Sequence, residues 1–274
     1  MKPIFKWVGG KRWYAQKACT IIRKHLTGTY YEPFLGSGAV FFSLQPERSV
    51  LCDAIEALIA TYSRIREDPH DVWNWMKSSG QDSNSKAHYS LRRHRFNELL
   101  MHGTYTNEFA GLFIYLNKAG YNGLWRQNSE GLFNVPFGDY NKIKLPTISE
   151  LINTSQILQN ANLNCVSTSQ ETFDIINNTS SGDVIFADPP YLNLFNDYDG
   201  MLETKKEFHE KLAIALWQAV TRGVVILVTN TDCNETRKWY GAFADITTFN
   251  RSQSIAGTVE GRKRWNQILA VGIP

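Results

Sequence analysis

The chain has 274 residues, and its 29 basic and 26 acidic side chains give a formal net charge of +3. This length can hold a sheet domain together with a second, inserted domain. The small positive excess is a weak bias and not a polybasic surface. It is compatible with transient DNA contact followed by easy release, and equally with an ordinary cytosolic enzyme.

The cysteine pattern argues against a zinc site or a disulfide framework, because the four cysteines are scattered and form no C-x-x-C pair. Cys52 and Cys165 fall in strand-like runs, so we expect both to be buried, as in a protein from a reducing compartment. The six histidines show no metal-ligand spacing, and we predict no metal site. No apolar stretch approaches a membrane span and no signal-peptide core is present, so we expect a cytoplasmic protein.

The first segment with chemical content is residues 5–11 (FKWVGGK), which places Trp7, two glycines and Lys11 ahead of a helix predicted at residues 13–25. An indole face can pack against a planar base, and an ammonium group can pair with a carboxylate. The alternative for this segment in isolation is a packed tryptophan beside a solvated lysine.

A β-turn-α-β unit follows. Residues 30–32 and 49–52 read as strands, and Gly36 and Gly38 bracket the turn between the first strand and a helix. The second strand ends in Asp53, and an acid at this position accepts ribose hydroxyls in nucleoside-binding sheets.

The same unit narrows the ligand class. Phe41 stands where the dinucleotide fingerprint G-x-G-x-x-G has its third glycine, which disfavours a pyrophosphate ligand and therefore a nicotinamide dehydrogenase. Leu35 stands where the nucleophile elbow G-x-S-x-G has a glycine, which excludes that site. A nucleoside that carries an amino acid and no phosphate, such as S-adenosylmethionine, fits better.

Residues 57–145 show helical spacing and no strand-and-crossover pattern, so we predict an inserted domain there. Helices are predicted near residues 91–100 and 108–117, and the polar stretch 78–85 predicts a loop. The run 92–95 (RRHR) is either a phosphate contact or a solvated helix face.

An Asn-Gly pair at residues 122–123 predicts a two-residue hairpin turn, with a second arm through residues 132–137. Such a hairpin carries Tyr121, Leu124 and Arg126 at its tip. An arginine there can bond both acceptors of a guanine, and a ring or a leucine can wedge between bases. The alternative is that Leu124 and the tryptophan after it pack onto the helices.

The most informative segment is residues 183–191 (DVIFADPPY), in which a predicted strand runs into Asp188, two prolines and Tyr191. Prolines lack the N–H that a sheet ladder needs, so the strand stops at the acid. The Asp188 carboxylate, the Pro189 carbonyl and the Tyr191 ring then lie at the carboxyl end of a strand, where ligands bind in open α/β sheets.

The tetrapeptide at residues 188–191 (DPPY) is suited to bind the exocyclic amine of a nucleic-acid base. Such an amine gains positive charge when it attacks a methyl donor, and acceptors fixed around its hydrogens favour that change. An aromatic ring beneath the base contributes about 1–3 kcal/mol of stacking, which helps to offset its extrusion from a duplex. The alternative is a strand that ends in a Pro-Pro turn, with the tyrosine packed.

The remaining chain resumes α/β alternation, with helices predicted at residues 205–220 and 235–240 and strands at 224–228 and 268–271. Together with a strand predicted at residues 164–166, this indicates an α/β fold whose mostly parallel sheet has helices on both faces.

Five ordered segments resemble the Dam-type DNA adenine-N6 methyltransferases: KWVGGK at 6–11, EPFLGSG at 32–38, YLNKAGYNGLWR at 115–126, FNVPFG at 133–138 and DPPY at 188–191. The resemblance spans nearly the whole chain. It implies a Rossmann-like catalytic domain that binds S-adenosylmethionine, formed by residues 1–56 and 146–274. It also implies a mainly helical DNA target-recognition domain with a β-hairpin, inserted at residues 57–145.

The resemblance assigns roles to individual residues. The cofactor contacts are Trp7, Lys11, Phe34, Gly36, Gly38, Asp53 and Asp188. A flipped-out adenine is held by Asp188, Pro189, Pro190 and Tyr191. Bases are read by Lys6, Leu124, Arg126 and Pro136, and Tyr121 intercalates with Asn122 beside it. The implied partner is double-stranded DNA, with GATC as the recognised sequence in the best-known members. No obligate protein partner is evident, and a monomer is the expectation.

Two features depart from the family pattern: Phe195 and Tyr198 follow the tetrapeptide early, which predicts a different lid over the base, and Trp125 enlarges a position beside the reading hairpin. Residues 250–254 match a loop that approaches DNA in the family, and the basic run 262–264 (RKR) is a second candidate phosphate contact. The alternative functions are an RNA adenine or protein glutamine methyltransferase and an inactive DNA-binding homologue.

Overall fold

A computed structural model of the chain describes residues 1–80, 85–191, 205–252 and 264–274. Its α-helices are α1 (Ala15–His25), α2 (Ala39–Leu44), α3 (Glu56–Glu67), α4 (Pro69–Gly80), α5 (Lys86–Met101), α6 (Asn107–Ala119), α7 (Ile148–Leu158), α8 (Ser169–Asn177), α9 (Lys205–Thr221) and α10 (Asn234–Tyr240). Its strands are β1 (Tyr30–Glu32), β2 (Ser49–Asp53), β3 (Ala161–Cys165), β4 (Val184–Ala187), β5 (Val225–Thr231), β6 (Asp245–Ser252) and β7 (Arg264–Gly272). None of these helices is both long enough and apolar enough to cross a membrane.

The described strands form a seven-stranded sheet in the order β3-β2-β1-β4-β5-β7-β6. β1 pairs in parallel with β2 and with β4, and β4 pairs in parallel with β5. β7 runs antiparallel to both β5 and β6. The predicted α/β fold with a mostly parallel sheet is confirmed, and β4 (VIFA) is buried at every position, as a continuous apolar run in a parallel sheet should be.

The contacts divide the chain into two compact units. The first consists of Met1–Ala15, Gly36–Gln45 and Ile55–Leu163, and the second consists of Gln16–Leu35, Pro46–Ala54 and Asn164–Pro274. The second unit contains a hydrophobic core in which α8 and α9 pack on β4, β5 and β7. The assignment of residues 57–145 to DNA recognition stays a prediction.

The first unit is built around an aromatic cluster that consists of Phe96, Phe109, Phe113, Trp125 and Phe133. Phe96 stacks on Phe109 with ring centroids 4.6 Å apart, and it meets Trp125 and Phe133 edge to face at 6.3 and 5.7 Å. Because these rings come from two helices and from the loop after them, the cluster ties that loop to the helical scaffold.

The prediction of a loop at residues 78–85 is wrong for its first three residues, which are helical. Helix α4 continues to Gly80, and the hydroxyls of Ser78 and Ser79 both donate to the Trp75 carbonyl within the helix. Residues 81–84 lie outside the described part of the chain. The same holds for Phe195 and Tyr198 and for residues 253–254 and 262–263.

Two predictions for sheet residues are also wrong. Residues 250–252, expected in a loop, belong to strand β6, where Asn250 pairs with Asn266 of β7. Cys165, expected to be buried, is exposed at the end of β3, whereas Cys52 is buried as predicted.

The Asn-Gly pair does not form the tip of a hairpin. Asn122 and Gly123 have φ angles of 52° and 65°, as the sequence favours, but they belong to a 3-10 turn directly after α6. The chain reverses instead between Asn128 and Leu132, where the Asn128 N–H bonds to the Leu132 carbonyl. Antiparallel bridges join Gly120 to Phe137 and Gln127 to Phe133, so the predicted second arm is present while the predicted turn is displaced.

Candidate active site and nucleic-acid interface

Three predicted site residues follow three adjacent parallel strands of the second unit. Phe34 comes two residues after β1, Asp53 is the last residue of β2, and Asp188 comes directly after β4. Because β2, β1 and β4 are neighbours that run in the same direction, their carboxyl ends meet at one edge of the sheet. The structure therefore brings both predicted acids to the edge where the strand pattern predicted a ligand.

The Asp188 carboxylate is half-buried and fixed by a neighbouring strand. The Thr229 hydroxyl of β5 donates to Asp188 Oδ1 at 2.6 Å. β4 and β5 pair in parallel, with Ala187 opposite Val228, so Thr229 stands beside Asp188 in the same register. An acceptor held in this way needs little reorganisation when it receives a proton donor from a ligand.

The side chain of Tyr191 is largely buried. Its side chain is 9% exposed, and its hydroxyl donates to Gln267 Oε1 of β7 at 3.3 Å. Pro189 is buried as well, whereas Pro190 is exposed. The stacking role of Tyr191 stays a prediction.

A buried histidine lies behind the tetrapeptide. His209 of α9 is 2% exposed, and its Nε2 lies 2.9 Å from the Pro190 carbonyl oxygen. Its Nδ1 faces the Asn230 side-chain amide at 3.4 Å, and its ring stacks on Trp239 with an interplanar angle of 6°. Burial lowers the pKa of His209 from 6.5 to about 4, so the ring is neutral near pH 7.

This depressed pKa predicts that folding stability falls in acid. The unfolded chain binds a proton at this histidine below about pH 6.5 and the folded chain does so only near pH 4, so the loss grows as the pH falls between these values. We expect His209 to contribute up to about 3 kcal/mol of this loss. Urea unfolding of the wild type and of His209→Gln from pH 7 to pH 4 measures it. Identical pH dependence in the two proteins would contradict the prediction.

The predicted cofactor residues of the first unit form a compact group around a glycine. Gly36 has a φ of +49°, and a Cβ atom at this position would lie 2.9 Å from Trp7 Cδ1, so the indole packs where a side chain would otherwise be. The Tyr62 hydroxyl donates to the Ser37 carbonyl at 3.0 Å and anchors the same turn. Gly38, with a φ of 64°, precedes α2.

Lys11 is buried in the same unit, so the alternative of a solvated lysine is wrong. The side chain is 3% exposed, and its ammonium group donates to the Gly9 carbonyl at 2.7 Å. A buried ammonium group needs polar or charged partners. The pairing of Lys11 with a ligand carboxylate stays a prediction.

The amino-terminal arm and the turn after α6 are joined by one side chain that the sequence analysis did not select. Asn117 of α6 accepts from the Lys6 N–H at 3.0 Å and donates to the Lys6 carbonyl at 2.9 Å and to the Gly123 carbonyl at 3.3 Å. Tyr140 adds a second link, because its ring lies 4.4 Å from Lys6 Nζ and its hydroxyl accepts from the Asn122 N–H at 3.0 Å. The segment with Lys6 and the turn at residues 121–123, both predicted to contact DNA, are thus held in a fixed position relative to each other.

Replacement of Asn117 by leucine should disturb both segments. The variant leaves three backbone groups without their partner, and we expect the free energy of unfolding to fall by about 1–3 kcal/mol. On the DNA-recognition role that the resemblance implies for both segments, we also expect weaker binding to duplex DNA and a broadened base preference. Urea unfolding and methylation of an oligonucleotide library measure these effects. Asn107→Leu at the start of the same helix is the control, since Asn107 bonds to the Asp71 side chain and not to either segment. An unchanged base preference in Asn117→Leu would contradict the prediction.

The predicted DNA-contacting residues differ in exposure. Tyr121, Asn122, Arg126 and Pro136 are exposed, while Lys6 and Leu124 are partly buried. Arg126 is already oriented, because its guanidinium donates to the Asn134 side-chain oxygen at 2.7 Å and to the Asn134 carbonyl at 3.1 Å. The base-reading roles of all six residues stay predictions.

The alternative that these residues pack onto the helices holds for Trp125 and in part for Leu124. Trp125 belongs to the aromatic cluster, and Leu124 lines a small cavity of about 10 Å³ beside it. In the basic run on α5, Arg95 makes a two-pronged ion pair with Glu108 at 2.8 Å, and Arg93 donates to the Val135 carbonyl at 3.2 Å. The phosphate-contact role of this run stays a prediction.

The sequence of the chain is similar to a known family and to several named proteins. A family profile described as D12 class N6 adenine-specific DNA methyltransferase matches residues 7–254. The chain is similar to the DNA adenine methylase of Vibrio cholerae, at 33% identity over all of this chain and 96% of that protein. It is also similar to the DNA adenine methylase of Escherichia coli K12, at 31% identity with 100% and 96% coverage. A Type II methyltransferase from Lactococcus lactis subsp. cremoris is 27% identical, over 89% of this chain and 86% of that protein.

Proposed function

Because the chain belongs to the D12 class of N6 adenine-specific DNA methyltransferases, we propose that it transfers the methyl group of S-adenosylmethionine to the N6 amine of an adenine flipped out of duplex DNA. The observation that carries this proposal is the Asp188 carboxylate, which is fixed by Thr229 at the carboxyl end of β4 and followed by two prolines and Tyr191. The proposed partner is double-stranded DNA, and GATC, which the resemblance to the Dam-type enzymes implies, is the proposed recognition sequence.

The residues assigned to S-adenosylmethionine have chemistry that fits it. Asp53, at the tip of β2, can accept hydrogen bonds from ribose hydroxyls, and the Lys11 ammonium can pair with the amino-acid carboxylate. Trp7 offers an aromatic face beside a glycine turn that has no room for a side chain. When bound, S-adenosylmethionine supplies an electrophilic methyl group on a sulfonium centre. Phe34, Gly36, Gly38 and Asp188 complete the proposed set.

Asp188 and the Pro189 carbonyl are the proposed acceptors for the two hydrogens of the adenine amine. The amine nitrogen is a poor nucleophile because its lone pair is delocalised into the ring, and it gains positive charge as it reacts. Two fixed acceptors stabilise that charge more in the transition state than in the ground state, which is the condition for acceleration. Tyr191 is the proposed stacking surface for the flipped base.

Recognition of the duplex is assigned to residues 57–145 and to Lys6. Arg126 is the proposed reader of a guanine, because its guanidinium is already oriented by two hydrogen bonds to Asn134. Tyr121 is exposed at the turn after α6, where its ring can enter the space that the flipped base leaves. Leu124, Pro136 and Asn122 are the remaining proposed contacts.

The proposed function is tested by the transfer of labelled methyl groups from S-adenosylmethionine into duplex DNA, RNA and protein in parallel. We expect label in duplex DNA alone, and long-read sequencing of DNA from cells that express the protein to report N6-methyladenine in one sequence context. Label in RNA or protein instead would replace the substrate class. Duplex binding without cofactor binding in calorimetry would indicate an inactive homologue.

A further inference from the structure

The Pro-Pro pair of the tetrapeptide can be anchored in few ways. Proline has no N–H, so the backbone at Pro189 and Pro190 offers only carbonyl oxygens for hydrogen bonds. The proposed function uses the Pro189 carbonyl for the adenine amine. The Pro190 carbonyl lies 2.9 Å from Nε2 of the buried His209, which is a contact that the proposed reaction does not otherwise explain.

A chain of hydrogen bonds determines which nitrogen of His209 carries the proton. The Thr231 N–H donates to Asn230 Oδ1 at 2.8 Å, so the Asn230 amide presents its NH₂ group to His209 Nδ1 at 3.4 Å. Nδ1 is therefore the acceptor, and the proton lies on Nε2, where it is donated to the Pro190 carbonyl. Asn230 is fully buried and Trp239 stacks on the ring, so the imidazole has one orientation.

We propose that His209 is a positioning residue for methyl transfer, because it fixes the Pro190 carbonyl and thereby the orientation of the Asp188 carboxylate and the Pro189 carbonyl. This inference rests on the proposed function and adds a residue on α9 to it. The side chain does not touch the adenine. It acts through two peptide groups, on acceptors whose alignment with the amine controls the rate of the chemical step. A displacement of about 1 Å at such groups costs on the order of 10²-fold in rate.

The test compares two replacements of similar size at this position. His209→Gln keeps an N–H donor near the place of Nε2, and His209→Leu removes it. In single-turnover methylation of duplex DNA we expect the leucine variant to be about 10- to 100-fold slower than wild type. In steady-state assays we expect its KM values for DNA and for S-adenosylmethionine to lie within about threefold of wild type. We expect the glutamine variant to retain a rate within about threefold of wild type. His25→Leu, at the end of α1, is the control and should match the wild type.

Circular dichroism and thermal unfolding show whether each variant is folded under assay conditions. Should the leucine variant be unfolded, His209→Asn replaces it, because a shorter amide stays polar but does not reach the Pro190 carbonyl. The inference is overturned if the folded variant without the donor reacts at the wild-type rate, or if the glutamine variant is equally slow. A wild-type protein that places no methyl group in DNA would overturn the proposed function and this inference together, so the two failures are distinguishable.

Discussion

An Asp188→Ala variant is expected to lose methyl transfer by about 10²–10³-fold or more while it remains folded, because it removes a fixed, charged acceptor from the reacting amine. Asp188→Asn keeps the size and one acceptor oxygen but loses the charge, so we expect an intermediate rate. The measurement is the single-turnover rate with labelled S-adenosylmethionine and a duplex oligonucleotide.

A Thr229 variant tests the orientation of the Asp188 carboxylate separately from its presence. Thr229→Val removes the 2.6 Å bond to Asp188 but leaves the carboxylate, so we expect about a tenfold reduction in rate with little change in cofactor affinity. Asp174→Ala, an exposed acid on α8, serves as the control for loss of a carboxylate and should react normally. Wild-type rates in Asp188→Ala would refute the assignment of the tetrapeptide to the reaction.

A Phe96→Ala variant is expected to lose about 3–5 kcal/mol of folding free energy, because a fully buried ring is replaced by a cavity. The effect should fall at the upper end of this range, since Phe96 contacts four other rings of the aromatic cluster. A loss of this size is a large fraction of the 5–15 kcal/mol that is typical of a folded domain.

The same variant should also weaken DNA binding, because Trp125 of the cluster directly precedes Arg126 in the loop. Urea unfolding measures the stability, and fluorescence anisotropy with a labelled duplex measures the binding. Leu91→Ala on the same helix is the control, since Leu91 is 63% exposed and its replacement should change stability by less than about 0.5 kcal/mol. A similar loss in both variants would contradict the central place of Phe96 in this unit.

Local sequence was sufficient for the parts of the fold that have a strong one-dimensional pattern. The apolar run before Asp188 and the two prolines after it determined both the presence and the end of β4. Strand β6 was missed because it lies at the edge of the sheet, where Asp245, Thr247 and Thr248 are exposed and no apolar run is required. Cys165 is exposed for a related reason, since β3 is the opposite edge strand.

The turn at Asn122 shows where tertiary contacts take precedence over a correct local preference. Both residues of the Asn-Gly pair have the positive φ angles that the sequence favours. However, the Tyr121 N–H, which would bond to the Leu124 carbonyl across a two-residue hairpin turn, donates instead to the Pro136 carbonyl at 2.9 Å. The chain therefore reverses later, at residues 128–132.

The sequence by itself determined which chemical groups the protein carries and in which order: an acid, two prolines and an aromatic residue at a strand end, a glycine turn before a second acid, and the succession of segments that identifies the family. Only the tertiary structure decided what holds those groups in place. Thr229 bonds to Asp188 across 41 positions of the chain, Gln267 to Tyr191 across 76 and Asn117 to Lys6 across 111. Such partners come from neighbouring strands and packed helices, and no local pattern can reveal them, because a hydrogen bond between distant residues depends on the geometry of the folded chain.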